Sequence, residues 1–112
     1  MEILAKQNGE ISVISVVGSI DALTAGELME YLLGRLSAGN RFIILDLEKV
    51  DFMSSAGLRA MLTAMKEARQ QGGDLCLAAA QPGVEKVLKM VGLTGILNFY
   101  PAVDQAMAEI LA

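Results

Sequence analysis

Two adjacent hydroxyls, Ser54 and Ser55, stand where an apolar run gives way to the small residues Ala56 and Gly57. A hydroxyl at such a junction can cap a helix, attack as a nucleophile or accept a phosphate. Serine ahead of a helix is a preferred N-cap, worth on the order of 1 kcal/mol. The same place, with unpaired amides and a glycine nearby, also tolerates a phosphate, whose added charge of roughly −1.5 to −2 changes what the surface can dock against. Nucleophilic attack is rejected. The pattern is only loosely like a nucleophile elbow, Gly-x-Ser-x-Gly is absent, and no lysine stands at a diagnostic spacing for a Ser-Lys dyad. The chain contains no histidine, which removes the commonest general base at neutral pH and the commonest metal ligand. The expectation is a protein that is not an enzyme, with the serines open between cap and phosphate acceptor.

Three carboxylates, Asp21, Asp46 and Asp51, are the other candidates. Ligands of open α/β sheets collect at the carboxyl ends of strands, where such oxygens could hold Mg²⁺. The simpler reading makes Asp21 a turn residue and Asp51 a turn or pre-helix charge, so no metal and no cofactor is expected. Asp46, flanked by Leu45 and Leu47, either faces solvent from the sheet or bonds to a loop. Lys86 and Lys89 read as a solvated helix face, and Gly92 to Ile96, with two glycines and no P-loop lysine, as a turn. Cys76 is the single cysteine, so no internal disulfide forms, and among Leu75 and Leu77 it reads as a buried small apolar group. The methionines fit the core by their spacing. Met53, beside Ser54, is the one placed at a partner surface, because Met adapts to partner contours.

Totals set the frame for these groups. The 112 residues fit one domain, 1–112. With 54% hydrophobic residues and 20% charged, the chain is folded rather than disordered. A net charge of −4 without a basic cluster, and no Trp, leave neither the electrostatic footprint nor the stacking platforms for nucleic acid. The apolar stretches are too short to span a bilayer and the N-terminus lacks a signal-peptide layout. No membrane insertion and a cytoplasmic location are expected.

The elements that must position the site follow from periodicity. Residues 10–17 are β-branched and partly alternating, a strand that Glu2 to Ala5 joins through a turn at Asn8-Gly9. Thr24 to Glu27 fits a capping box, with Leu23 and Leu28 as its hydrophobic staple. Leu28, Tyr31, Leu32 and Leu36 form the apolar face of that helix, which Gly39 ends. Residues 41–47 make a central strand buried on both faces. A helix from about Ser55 carries a core stripe of Leu58, Met61, Leu62 and Met65, beside a small-residue stripe of Ala56, Ala60 and Ala64. Asp74 to Ala79 is the next strand, and a third helix carries Val84, Val87, Leu88 and Val91. Ile96 to Tyr100 is a short strand, and Ala102 to Leu111 a final helix with Val103, Met107, Ile110 and Leu111 for burial. The fold class is α/β: a central, mostly parallel β-sheet with an N-terminal antiparallel strand and about four helices.

In order along the chain, Val17 to Asp21, Leu45 to Met53, Ser54 to Leu58, Gly73 to Leu75, Val87 to Leu93 and Phe99 to Pro101 resemble a STAS domain of the anti-sigma factor antagonist type. The strand leading into Ser54-Ser55-Ala56-Gly57-Leu58 is the specific part. The resemblance implies partner switching. The unphosphorylated antagonist binds an anti-sigma factor that is also a serine kinase, phosphorylation of a serine at the start of the second helix releases it, and a phosphatase resets it. The phosphorylated position falls on Ser55, with Ser54 as a minor alternative, and the partner surface on Asp21, Met53, Ser54, Ser55, Gly57 and Leu58. Many members carry Asp before the acceptor and Ser or Thr after it, where this chain has Ser54 and Ala56. A monomer or weak dimer is expected. The alternative is a STAS scaffold subunit of a stress-signalling or transporter-associated complex, in which the serine only caps.

Overall fold

Strand alternation divides the apolar residues between two layers. A computed structural model describes residues 1–92 and 95–112, so Leu93 and Thr94, in the middle of the expected turn from Gly92 to Ile96, lie outside the described residues. Five strands run in the order β1-β2-β3-β4-β5. They are β1 Glu2–Asn8, β2 Ile11–Ile20, β3 Phe42–Met53, β4 Asp74–Ala78 and β5 Phe99–Tyr100. β1 pairs antiparallel with β2, and the remaining pairs are parallel. Helices α1 Ala25–Ser37, α2 Ser55–Gln70, α3 Pro82–Met90 and α4 Val103–Leu111 alternate with them. The expected mostly parallel sheet, antiparallel first strand and four helices are all present.

On one face, Ile14, Val16, Ile43, Leu45, Leu75 and Leu77 pack against Leu28, Leu32, Leu36, Met61, Met65, Val84 and Leu88 of α1, α2 and α3. On the other, Ile11, Ile44, Cys76 and Ala78 meet Ala106 of α4. Period-two strands sandwiched by helices bury both sets of side chains, and burial pushes the Cys76 thiol up to about 12. Among the described residues no helix is long and apolar enough to cross a membrane.

In the sheet and the last two helices the structure departs from the sequence reading at five places. The hairpin turn lies one residue later than Asn8-Gly9: Asn8 pairs with Ile11, leaving Gly9, at φ 61°, and Glu10 as the corner, the arrangement that places Gly first. β3 continues six residues past Leu47, through two irregularities at which its register with β2 slips. Bulges insert residues into one strand, so alternation fails after Asp46 although pairing continues. Val87 and Val91 are 37% and 53% exposed, so α3 buries only Val84 and Leu88. β5 is two residues long, not five. In α4 the buried residue is Ala106, while Leu111 is 69% exposed.

Candidate functional site

The ends of β2 and β3 and the start of α2 meet at one junction. Ile20 pairs with Met53, and the Ser54 N–H donates to the Ile20 carbonyl at 2.8 Å. That bond extends the ladder one residue beyond the strands and delivers the chain directly into α2. Ser54 is the N-cap, in extended backbone, and its hydroxyl oxygen accepts the Gly57 N–H at 3.3 Å. The two serines therefore have different jobs. Ser54 is half-buried and engaged, whereas Ser55, the first residue of α2, is exposed and its hydroxyl has no hydrogen-bond partner among the described residues.

Gly57 explains why a small residue follows. A Cβ built on it would stand 2.7 Å from Cγ2 of Ile20 and 3.3 Å from Cγ of Met53. The first turn of α2 thus rests directly on the end of β2, a separation only glycine allows. Ala56, Ala60 and Ala64 continue this small side; Ala60 and Ala64 are buried and Ala56 is half-buried. Between α1 and α2 lies a shallow groove of about 210 Å³, lined by Ala22, Ala25, Met29, Ala56, Ala60 and Thr63 among others.

Asp21 leaves β2 beside this junction and organises the loop before α1. Its carboxylate accepts the Leu23 N–H at 2.9 Å and the Thr24 N–H at 3.0 Å, while its own N–H donates to Thr24 Oγ1 at 2.9 Å. This is a reciprocal capping box one turn earlier than Thr24–Glu27. Thr24 makes no side-chain bond to the first amides of α1, because its hydroxyl is already turned back onto Asp21. The amides of Thr24 and Leu23 hold the Asp21 carboxyl below its ordinary value of 3.8, so it is ionised at neutral pH. Leu23, cast as a staple, is instead lifted into solvent at 91% exposure, while Leu28 is fully buried.

The apolar side chain offered beside the serines is not Met53. Met53 is 4% exposed and sits in the core under α2, whereas Phe52, one residue earlier, is 53% exposed. The second register slip decides this: the extra residue between Val50 and Phe52 breaks the period of two, so Met53 shares the buried face with Val50 and Phe52 points outward. Leu58 and Gly57 are also buried, so these two and Met53 support the surface from below. Leu23 and Phe52 are the exposed members that the sequence reading missed. Phe52 carries no signal in the sequence, because its orientation depends on the register slips in β3, and Leu23 is signalled only by recognising Asp21-x-x-Thr24 as the box.

The carboxylates are spent separately. Asp51 accepts from the Ser19 hydroxyl at 2.9 Å, and Asp46 accepts from the Ser15 hydroxyl at 3.2 Å and the Glu48 N–H at 3.1 Å. Asp46 therefore answers to the neighbouring strand and its own backbone, not to a loop. Among the described residues no three of Asp, Glu and Cys stand close enough to hold a metal ion. A larger cavity, about 860 Å³, lies elsewhere, between the open side of the sheet and the start of α4, with Asp46, Ala79 and Asp104 in its lining.

Comparison with known proteins agrees with this architecture. The STAS domain family model matches residues 2–106. A Bordetella bronchiseptica protein, BtrV, provisionally named an anti-sigma factor antagonist, is 33% identical over 95 residues, covering 85% of this chain and 79% of its own. Among solved structures, a Thermotoga maritima protein of the same provisional name superposes with a TM-score of 0.94 at 22% identity, covering 98% of this chain and 95% of the other. The anti-sigma factor antagonist SpoIIAA in its unphosphorylated form gives 0.85 at 22% identity, covering 98% and 96%, and a phosphorylated SpoIIAA from Bacillus has the same fold at 0.75. With the family model spanning nearly the whole length and the strand-to-serine junction built as described, this chain belongs to the STAS domain family.

Proposed function

We propose that this chain is an anti-sigma factor antagonist, a regulatory binding module switched by phosphorylation of Ser55. In its unphosphorylated state it binds an anti-sigma factor serine kinase, freeing a sigma factor. Phosphate on Ser55 ends the complex, and a phosphatase restores it. The observation that carries this reading is the division of labour between the serines. Ser54 occupies the cap, so the exposed Ser55 hydroxyl is available without unravelling the helix. Asp and Ser rank together as N-caps, so Ser54, where many relatives have Asp, preserves the cap that presents the acceptor.

The docking surface comprises Asp21, Leu23, Phe52, Ser54 and Ser55, with Met53, Gly57 and Leu58 holding it from beneath. Leu23 and Phe52 supply apolar contact, and Asp21 a fixed negative charge. A phosphate added at Ser55 is tolerated by the free amides of the helix start. It brings roughly −1.5 to −2 charges to a surface that already presents Asp21, and the partner must desolvate them. Local electrostatics at a helix end is then read out as release.

The test incubates the protein with an anti-sigma factor kinase of the same genome and ATP, and maps phosphate by mass spectrometry. Phosphate is expected on Ser55 in the wild type and in Ser54→Ala, and to vanish in Ser55→Ala. Ser55→Asp should no longer bind the kinase. Phosphate on Ser54 alone, or undiminished binding by Ser55→Asp, overturns the proposal in favour of a scaffold whose serines only cap.

A further inference from the structure

β1 is an edge strand: in the sheet order it neighbours β2 alone, and among the described residues nothing pairs with its outer side. Seven residues long, it has no proline and pairs with β2 without a register slip. It thus lacks two devices by which proteins blunt a free edge, and its one edge-type charge pattern is of mixed sign. Residues Glu2, Leu4 and Lys6 alternate onto one face, opposite Val17, Ser15 and Val13 of β2. That face is the one α4 leaves open at this end, and Leu4 is 52% exposed there. Ile3, of the other parity, packs against the main core.

The hairpin determines which backbone groups are free. The closing pair of a two-residue turn exchanges hydrogen bonds, and alternate pairs along the ladder do the same. With Asn8 opposite Ile11, the even residues Glu2, Leu4 and Lys6 spend their amides and carbonyls on β2. The odd residues Ile3, Ala5 and Gln7 present theirs outward. A second antiparallel strand can use those groups only in registers that match odd residues with odd.

We propose that β1 pairs antiparallel with β1 of a second copy of this chain, about a two-fold axis at Leu4, making one continuous sheet across both. This register places Ile3 opposite the partner's Ala5, so the outward groups of both strands are bonded. Leu4 faces its own copy, and Glu2 faces the partner's Lys6 on both sides of the axis. Leu4 and the charged pairs occupy the non-hydrogen-bonded sites, where side chains approach most closely. Moving the axis to Ile3 sets Glu2 against Leu4, moving it to Ala5 sets Lys6 against Leu4, and moving it to Lys6 juxtaposes two lysines. Centring on Leu4 alone satisfies the outward backbone and both charges, which is why the occupant is a second copy rather than an unrelated strand. The pairing uses the outer edge of the sheet, away from the β2–β3 junction that carries Ser55.

Sedimentation velocity of the full chain over a range of concentrations tests this. The wild type should pass from monomer to dimer with concentration, and salt should weaken the association. Glu2→Lys or Lys6→Glu alone converts both opposite-charge pairs into like-charge pairs and should weaken dimerisation about tenfold. The double variant Glu2→Lys/Lys6→Glu should restore it. Ala5→Pro removes an outward N–H without touching the β2 ladder, and should leave a folded monomer with wild-type circular dichroism. A wild type that stays monomeric at every concentration overturns the proposal. So does a dimer indifferent to these variants, or one that the double reversal fails to rescue.

Discussion

Replacing Gly57 with alanine asks whether the close approach of α2 to β2 is a real constraint. The added methyl would lie 2.7 Å from Cγ2 of Ile20 and 3.3 Å from Cγ of Met53. Ile20 is fully buried and β-branched, so it has few rotamers to retreat into, and its neighbours are close-packed. Overpacking of this kind costs about 1–3 kcal/mol. The helix propensity of alanine over glycine returns at most ~1 kcal/mol, and less in the first turn. The expected net loss is about 1–2 kcal/mol, a fall in Tm of roughly 4–10 °C for a chain of this size. Guanidinium denaturation should show a lower midpoint at unchanged slope. The Ser54 amide, whose bond to Ile20 must lengthen if the helix lifts, should exchange its hydrogen faster. Gly34→Ala is the control: it lies within α1, where a Cβ meets nothing within 4 Å, so it should stabilise by up to ~1 kcal/mol. A Gly57→Ala protein as stable as the wild type, or one that shifts in the same direction as Gly34→Ala, would refute the argument that contact with Ile20 requires glycine here.

Three further substitutions probe the same physical account. Ser54→Ala should lose the cap and about 1 kcal/mol, whereas Ser55→Ala should stay within about 0.5 kcal/mol of wild type, as read by urea denaturation. Ala79 has φ 58°, a left-handed conformation that strains any residue with a Cβ, so Ala79→Gly should raise stability by about 0.5–1 kcal/mol in thermal melts. The Cys76 thiol, raised by burial from 9.0 to about 12, should be almost wholly protonated at pH 8. Its reaction with a thiol reagent should therefore await unfolding, tracking denaturant rather than reagent basicity.

Much of the fold was legible because its strands are short-period and its helices amphipathic. The β3 run 42–47 announced a strand buried on both faces, and Leu28, Leu32 and Leu36 announced the inner face of α1. What alternation could not carry was the second half of β3. Two slips in register against β2 break the period while the ladder continues, and an inserted residue in a bulge looks, in sequence, like the end of a strand. The sequence reading places Met53 at a surface by its position beside Ser54 and its adaptable side chain, whereas its burial depends on a parity that the bulges reset.

The site divides along the same line. Residue chemistry alone narrowed what Ser54 and Ser55 are expected to do, since a chain with no histidine lacks the commonest base for activating a hydroxyl, and a serine before small residues marks a helix start. It left the two hydroxyls equivalent. The family resemblance set Ser55 apart as the expected acceptor, but only the tertiary structure shows which hydroxyl caps, because capping depends on which one reaches the Gly57 amide, and that is set by the Ser54 bond to Ile20 on a neighbouring strand. Likewise Asp21, Leu23 and Thr24 supply a capping box by composition. Where that box closes, and hence whether Leu23 is buried or held out to solvent, is decided by the competition between two overlapping sets of partners. A linear pattern cannot rank them. The hydrogen bonds around Asp21 do.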